Sequence, residues 1–307
     1  HVIKSGVKTL AVEDLIADED QTLVLTSGGY IKRTNPDEFK KQKRGGVGVV
    51  DLNTKEEDFV TEFLTASTHS DVLFFTDKGK VYQVKMYDLP EGRRATRGKS
   101  IMNFLSIEQD EKVTSVRAMP KSVKDMDLSV LMVTKNGVVK RVDAASFHDV
   151  RRNGIIAIKL ADDDDLISVS FIGKEDTAII VTEKGQSIRF EAKDAREMGR
   201  AAAGVRGIKL SKGDAVVAAR TIKKDWENPE LLVLMANGYG KKTSFDEYKI
   251  QNRGGSGIKT AKVTVKTGKV IGAHVVTDEQ SEIIAMSKNS QVIRTGIAEI
   301  PTLGRQT

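Results

Sequence analysis

The stretch DVLFFTDKGKVYQVK, residues 71–85, reads as two β-strands folded back on a glycine. Val, Leu and Phe crowd its first half, apolar and polar residues alternate in its second, and Lys78-Gly79 stands between them. Glycine accepts the positive φ that a tight turn demands, so such a pair between two β-favouring runs marks a hairpin. The same grammar returns as TLVLTSGGYIKR (22–33), SVLMVTKNGVVKR (129–141), AIIVTEKGQSIRF (178–190), LLVLMANGYGKK (231–242) and EIIAMSKNSQVIR (282–294). The turn residues Gly29, Gly79, Gly137, Gly185, Gly238 and Ser290 follow at intervals of 50, 58, 48, 53 and 52.

After each hairpin comes a Gly/Arg-rich loop and another apolar segment: GVGVV (46–50), KSIMNFL (99–105), GIIAIKL (154–160), GVRGIKL (204–210) and SGIKTAKV (256–263). A further strand closes each unit, as in DLISVSFI (165–172) and KVIGAHVV (269–276). Four short strands per repeat predict an all-β, propeller-like ring, because one such unit buries too little apolar surface alone and must stack on its neighbours. The expected organisation is a lead-in over 1–20 and one domain over 21–307, with repeats at 21–65, 70–119, 128–173, 176–222, 230–277 and 281–307. The sixth copy stops at PTLGRQT (301–307), so the ring is expected to be incomplete there, or closed by VIKSGVKTLAV (2–12).

Composition narrows the function classes. The chain has 307 residues, 39% hydrophobic and 30% charged, which is the balance of a globular protein. It has no cysteine, which excludes disulfides and thiolate metal sites and agrees with a reducing cytoplasm. Apolar runs such as LLVLMA (231–236) are far too short to cross a bilayer as a helix. No charged-then-apolar leader opens the sequence, and it starts at His1 rather than Met, which reads as a piece of a longer protein.

The net charge of +6 conceals a segregation. Five windows that follow the hairpin turns (30–50, 78–99, 135–159, 184–212 and 241–269) hold 35 basic and 11 acidic residues. The remaining chain holds 14 basic and 32 acidic. A repeat places equivalent segments at equivalent radius, so the windows form a basic band, the footprint of a nucleic-acid backbone. The candidate contacts in the hairpins are Lys32, Arg33, Lys80, Lys85, Lys140, Arg141, Arg189, Lys241 and Lys242. In the loops they are Lys40, Lys41, Arg93, Arg94, Arg97, Lys99, Arg151, Arg152, Arg196, Arg200, Arg206 and Arg253. Only 5% of residues are aromatic, and most Phe sit inside apolar strands, whereas single-strand and RNA binders stack bases on exposed rings. Neither helix-turn-helix nor zinc-finger spacing is present to read a major groove. Duplex DNA held by its phosphates is the expected ligand.

Sites for chemistry are sparse. GRRATRGKS (92–100) has five residues between Gly92 and Gly98, where a phosphate loop needs four, so it reads as a basic rim loop. The acidic run Asp162–Asp165 offers cation ligands but follows a strand as a turn. His1, His69, His148 and His274 show no metal-ligand spacing, and no metal site is expected.

The first loop reads QKRGGVG, from Gln42 through Lys43, Arg44, Gly45, Gly46 and Val47 to Gly48. Adjacent glycines allow a sharp turn and close approach to a ligand, while Lys43 and Arg44 supply charge. Within this repeat the string resembles the seven-residue box of the family of DNA gyrase A C-terminal domains. The resemblance extends over EDLIADED (13–20), GGYIKR (28–33), GVRGIKL (204–210) and LGRQT (303–307), essentially the whole chain. Val47 stands where the family carries a cation, and QNRGGSG (251–257) looks like a degenerate second copy, with Asn252 and Ser256 in place of cations.

The resemblance implies a six-bladed β-pinwheel, a propeller-like ring whose antiparallel blades exchange strands, with the sixth incomplete. It implies that duplex DNA wraps the outer rim largely independently of sequence, with the box residues needed for wrapping. The wrap would serve the N-terminal cleavage core of the same polypeptide together with the gyrase B subunits, in a holoenzyme of two A and two B subunits that introduces negative supercoils. ATP and magnesium are used elsewhere in that enzyme, so no cofactor is expected here, and the DNA-cleaving tyrosine belongs to an N-terminal region. A bacterial cytoplasmic, nucleoid-associated location without a membrane partner follows from the same resemblance. Two rivals stand beside it. The equivalent domain of topoisomerase IV shares the blades but lacks a well-kept box, and a propeller-like scaffold would bind protein partners on one face of the ring.

Overall fold

The computed structural model describes residues 11–39, 58–93, 96–277, 282–286 and 292–307, and there the chain is all β, punctuated by short 3-10 turns. The first repeat supplies β1 (Asp20–Thr26), β2 (Tyr30–Thr34) and β3 (Val60–Ser67). The second supplies β4 (Asp71–Thr76), β5 (Lys80–Lys85), β6 (Lys99–Ser100) and β7 (Val113–Ala118). From the third come β8 (Leu128–Thr134), β9 (Val138–Asp143), β10 (Ile155–Ile156) and β11 (Leu166–Gly173). The fourth gives β12 (Thr177–Thr182), β13 (Gln186–Glu191), β14 (Val205–Arg206) and β15 (Val216–Ile222). The fifth gives β16 (Glu230–Met235), β17 (Gly240–Ser244), β18 (Ile258–Lys259) and β19 (Val270–Val276), and the sixth only β20 (Glu282–Met286) and β21 (Val292–Gly296).

These strands form five antiparallel blades in a propeller-like ring, four blades of four strands and one of three, with β20 and β21 left as a hairpin. Six repeats predict six blades. The count is five among the described residues, because the sixth copy pairs only its own two strands. Each four-stranded sheet takes its last strand from the following repeat: β6 pairs with β2, β10 with β5, β14 with β9 and β18 with β13. The blades therefore exchange strands, as the resemblance implies.

The exchange corrects the reading of the apolar segments after each loop. KSIMNFL, GIIAIKL, GVRGIKL and SGIKTAKV contribute two strand residues each, and these pair with the preceding blade. Their other apolar residues plug the gaps between blades instead: Ile101 lies between the first two, Ile158 between the next two, and Ile208 and Ala261 between those that follow. The equivalent GVGVV (46–50) lies outside the described residues.

The core is a series of such interfaces. Successive residues of a strand face opposite sides of a sheet. Along β4, Val72 and Phe74 pack against the first blade, while Leu73 and Phe75 pack against the third. Along β12, Ala178 and Ile180 face one neighbour and Ile179 and Val181 the other. A sheet covered on both faces needs apolar residues at every position, so these first hairpin strands read as unbroken apolar runs. At the inner edge β3, β7, β11, β15 and β19 touch in succession. Side chains pin this edge: Ser170 Oγ lies 2.9 Å from Thr221 Oγ1, and Ser168 Oγ donates to the Ala219 carbonyl at 3.0 Å.

Candidate nucleic-acid interface

The basic hairpin residues divide by direction. Lys32 and Lys140 each stand three residues after a turn glycine, and their relative exposures are 1% and 0%. Lys32 Nζ donates to the carbonyls of Arg93 and Thr96 at 3.1 and 3.0 Å. Lys140 Nζ donates to the carbonyl of Ala157 at 2.8 Å and to that of Arg200. Lys241, at the same repeat position, donates to the carbonyls of Gly304, Arg305 and Thr307 at 2.6, 3.1 and 3.0 Å. Burial pushes the Lys140 and Lys241 ammonium groups down to about 8. All three lysines hold a later loop by its backbone.

The next residue along the strand repeats the device. Arg33 Nε donates to the Leu89 carbonyl at 2.9 Å, and Arg141 Nε to the Ala195 carbonyl at 2.8 Å. Arg189 reaches the carbonyls of Phe245 and Tyr248, both at 3.3 Å. Lys242 sits 3.2 Å from Glu230. Arg253 donates to the carbonyls of Asp194 and Arg206 at 2.7 and 2.9 Å. Arg97 lies 3.5 Å over the Tyr30 ring, with Asp58 3.9 Å away. Lys80 pairs with Glu108, and Lys85 lies 3.1 Å from Asp71. The expectation that these side chains face DNA gives way to two other roles: Lys32, Arg33, Arg97, Lys140, Arg141, Arg189, Lys241 and Arg253 clasp a neighbouring repeat, while Lys80, Lys85 and Lys242 pair with acids of their own repeat. Cations satisfy the exposed carbonyls of irregular loops.

The outward cations lie in the loops and on the exchanged strands. Arg93, Lys99, Arg151, Arg152, Arg196 and Arg206 are exposed, and Arg200 is half-buried. Of the exposed six, Arg152 is tied at 2.7 Å to Asp88. Four exposed lysines that the sequence reading does not single out join them: Lys159, Lys209, Lys259 and Lys262. Lys159, Lys209 and Lys262 occupy one repeat position, each directly after a plug residue, Ile158, Ile208 or Ala261. The recurring IKL, IKL and AKV strings carry that signal in the sequence. Arg94 and the whole stretch with Lys40, Lys41, Gln42, Lys43, Arg44, Gly45, Gly46 and Gly48 lie outside the described residues.

A second repeated signal is acidic. Asp58, Glu111, Asp164 and Asp214 each stand two residues before an inner strand and cap the hairpin turn of their own blade. Asp58 accepts from the Thr26 hydroxyl and the Gly28 N–H at 2.9 and 2.7 Å. Glu111 accepts from the Thr76 hydroxyl at the turn at 2.5 Å and from the Tyr82 hydroxyl on β5 at 2.8 Å. Asp164 accepts from the Asn136 N–H at 2.9 Å, and Asp214 from the Lys184 N–H at 3.0 Å. The acidic run Asp162–Asp165 thus serves a turn, and no cluster of three metal-ligating side chains occurs among the described residues.

Comparison with known proteins matches this architecture repeat by repeat. A family model described as the DNA gyrase C-terminal domain, beta-propeller, matches residues 20–67, 70–118, 129–172, 176–223, 230–277 and 281–307. The DNA gyrase A protein of Lawsonia intracellularis is 41% identical over 307 residues, covering 100% of this chain and 37% of that relative. The chain therefore spans little more than a third of that relative's length. A solved DNA gyrase A C-terminal domain is similar at a TM-score of 0.76 and 28% identity, covering 94% of this chain and 92% of the other. The C-terminal domain of DNA topoisomerase IV has the same fold, with a TM-score of 0.78, 23% identity and coverage of 95% and 88%. The chain belongs to the family of DNA gyrase C-terminal β-propeller domains.

Proposed function

We propose that this domain binds duplex DNA along its outer rim and bends it, as the wrapping element of a gyrase A protein. The observation that carries the reading is the set of outward cations at repeat-equivalent places, Lys159, Lys209 and Lys262 above all. They make no side-chain hydrogen bond or ion pair among the described residues, so their charge is available to phosphates. The domain itself contributes no chemistry. Cleavage, ATP use and strand passage fall to the N-terminal core and the B subunits of the parent enzyme, and no cofactor is assigned here.

The test is a Lys159→Gln, Lys209→Gln, Lys259→Gln, Lys262→Gln variant. Each phosphate left without its cation flattens the plot of log affinity against log salt by about 0.9. The variant should lose roughly 3–4 units of slope. Its melting temperature should barely move, since an exposed charge contributes ~1 kcal/mol at most. Ligation of a nicked circle on the variant should no longer trap a change in linking number. An unchanged slope would take the DNA off this rim and leave a protein-binding scaffold as the better reading.

A further inference from the structure

Charge also gathers at the inner edge of the ring. Glu62 on β3, Arg117 on β7, Arg220 on β15 and His274 on β19 come from four different blades. Pairing places the last three in one layer: Arg117 lies opposite Leu73, Arg220 opposite Ile179 and His274 opposite Leu232. Each of those partners is three residues from the end of its strand. The corresponding residue of the intervening blade is Ser170, which is uncharged and spends its hydroxyl on Thr221.

The charges do not balance. Arg117 lies 3.8 Å from Glu62 and donates to the Val116 carbonyl at 2.6 Å. Arg220 donates to the Ala219 carbonyl at 3.0 Å and has no ion pair among the described residues. A guanidinium has five N–H donors in a rigid fork, so most of these donors have no protein acceptor among the described residues. Burial, then Arg117, pushes Arg220 down to about 10, and burial holds Glu62 above its ordinary value. His274 keeps an open surface, yet desolvation and then Arg220 push its imidazole down to about 4, so near neutral pH it adds no charge. Among the described residues two guanidiniums thus stand near one carboxylate, in a space that water still enters, since the Arg117 side chain is 32% exposed.

We propose that this axial cluster is a binding site for a small oxyanion of the phosphate class, held by the unpartnered N–H groups of Arg117 and Arg220. A guanidinium fork matches two oxygens of such an anion, and the bound charge offsets the repulsion between the two arginines. The anion would join β7 to β15 across β11, whose residue in that layer carries no charge. The site is separate from the rim and does not depend on DNA.

The experiment is a thermal melt of the 307-residue chain against inorganic phosphate, with sodium chloride at matched ionic strength as control. Expected is a saturable rise in Tm with phosphate and none with chloride. Arg220→Gln should raise the half-saturating phosphate concentration at least tenfold, whereas Lys209→Gln with Lys262→Gln should leave it unchanged. As a check that needs no variant, NMR of the unmodified chain should show two arginine Nε–H resonances moving along the same saturation curve. A linear rise shared by Arg220→Gln would be the general effect of an excluded salt and would overturn the site. Loss of saturation in the lysine variant, or arginine resonances that do not move, would overturn it equally.

Discussion

A lysine counted as surface charge and a lysine that holds a loop are the same letter, and only packing separates them. Lys140 is fully buried on two carbonyls. Lys140→Met removes the donor and leaves those carbonyls unpaired, a loss of about 1–3 kcal/mol in unfolding free energy. The sign of its pH dependence follows from its depressed value. The folded ammonium titrates at about 8, and an unfolded lysine at about 10.4. Between those values the unfolded chain binds the extra proton, so the stability due to this group is lowest below the folded value and rises with pH through the window. Lys140→Met has no such titration. Urea midpoints should therefore show wild type gaining on the variant between about pH 7.5 and about pH 9.5. DNA affinity near neutral pH should change less than about twofold, well within the tenfold step of 1.4 kcal/mol. A large loss of affinity with unchanged stability would return Lys140 to the DNA surface.

At the scale of the element, the exchanged strand depends on the hairpin turn it docks against. Gly185 has φ +78°, and a Cβ there would lie 2.4 Å from the Ala261 carbonyl oxygen. Gly238 has φ +84° with open space around it. Both alanine variants carry the left-handed penalty of about 1–2 kcal/mol, but only Gly185→Ala also displaces the incoming strand. Hydrogen exchange should then accelerate at Thr260 and Ala261, whose N–H groups bond to the Gly185 carbonyl at 2.8 and 3.4 Å. Equal effects of the two substitutions on exchange there would show that the docking of strand on turn is incidental. The hairpins were legible because the turn glycine and the two-sided apolar run are local signals. The partner of each two-residue strand was not, since pairing across roughly seventy residues, as for Ser187 with Ile258, leaves no local mark. The rim was half legible for the same reason. Arg206 reads as outward and is outward, while the doublet Lys140-Arg141 has the same composition and turns in. The acids two residues before each inner strand were visible in DFV, EKV, DDL and DAV, but a capping acid and a solvated one look alike until the turn amides are placed.

For the whole molecule the question is what distinguishes holding DNA from wrapping it. Bending 20–30 base pairs through 40–90° costs on the order of 1–6 kcal/mol, offset by contacts made along the bend. If roughly ten phosphates are neutralised around the rim, the slope of log affinity against log salt should lie near −9. A slope shallower than about −3 would leave too few contacts to repay a bend of that size. If the domain wraps DNA as proposed, the box from Gln42 to Gly48 would bear on the path rather than the grip, since outward cations of the later blades, from Lys99 to Lys262, remain without it. Replacing those seven residues with alanine should keep substantial affinity yet abolish the linking-number change trapped in the nicked-circle assay. In the parent enzyme, relaxation should survive and negative supercoiling should disappear. A parallel Lys43→Ala, Arg44→Ala variant separates charge from the backbone freedom of Gly45 and Gly46. If the seven-alanine chain folds and supercoiling continues at the normal rate, the box is an ordinary turn, and the outward cations alone define the path of the DNA.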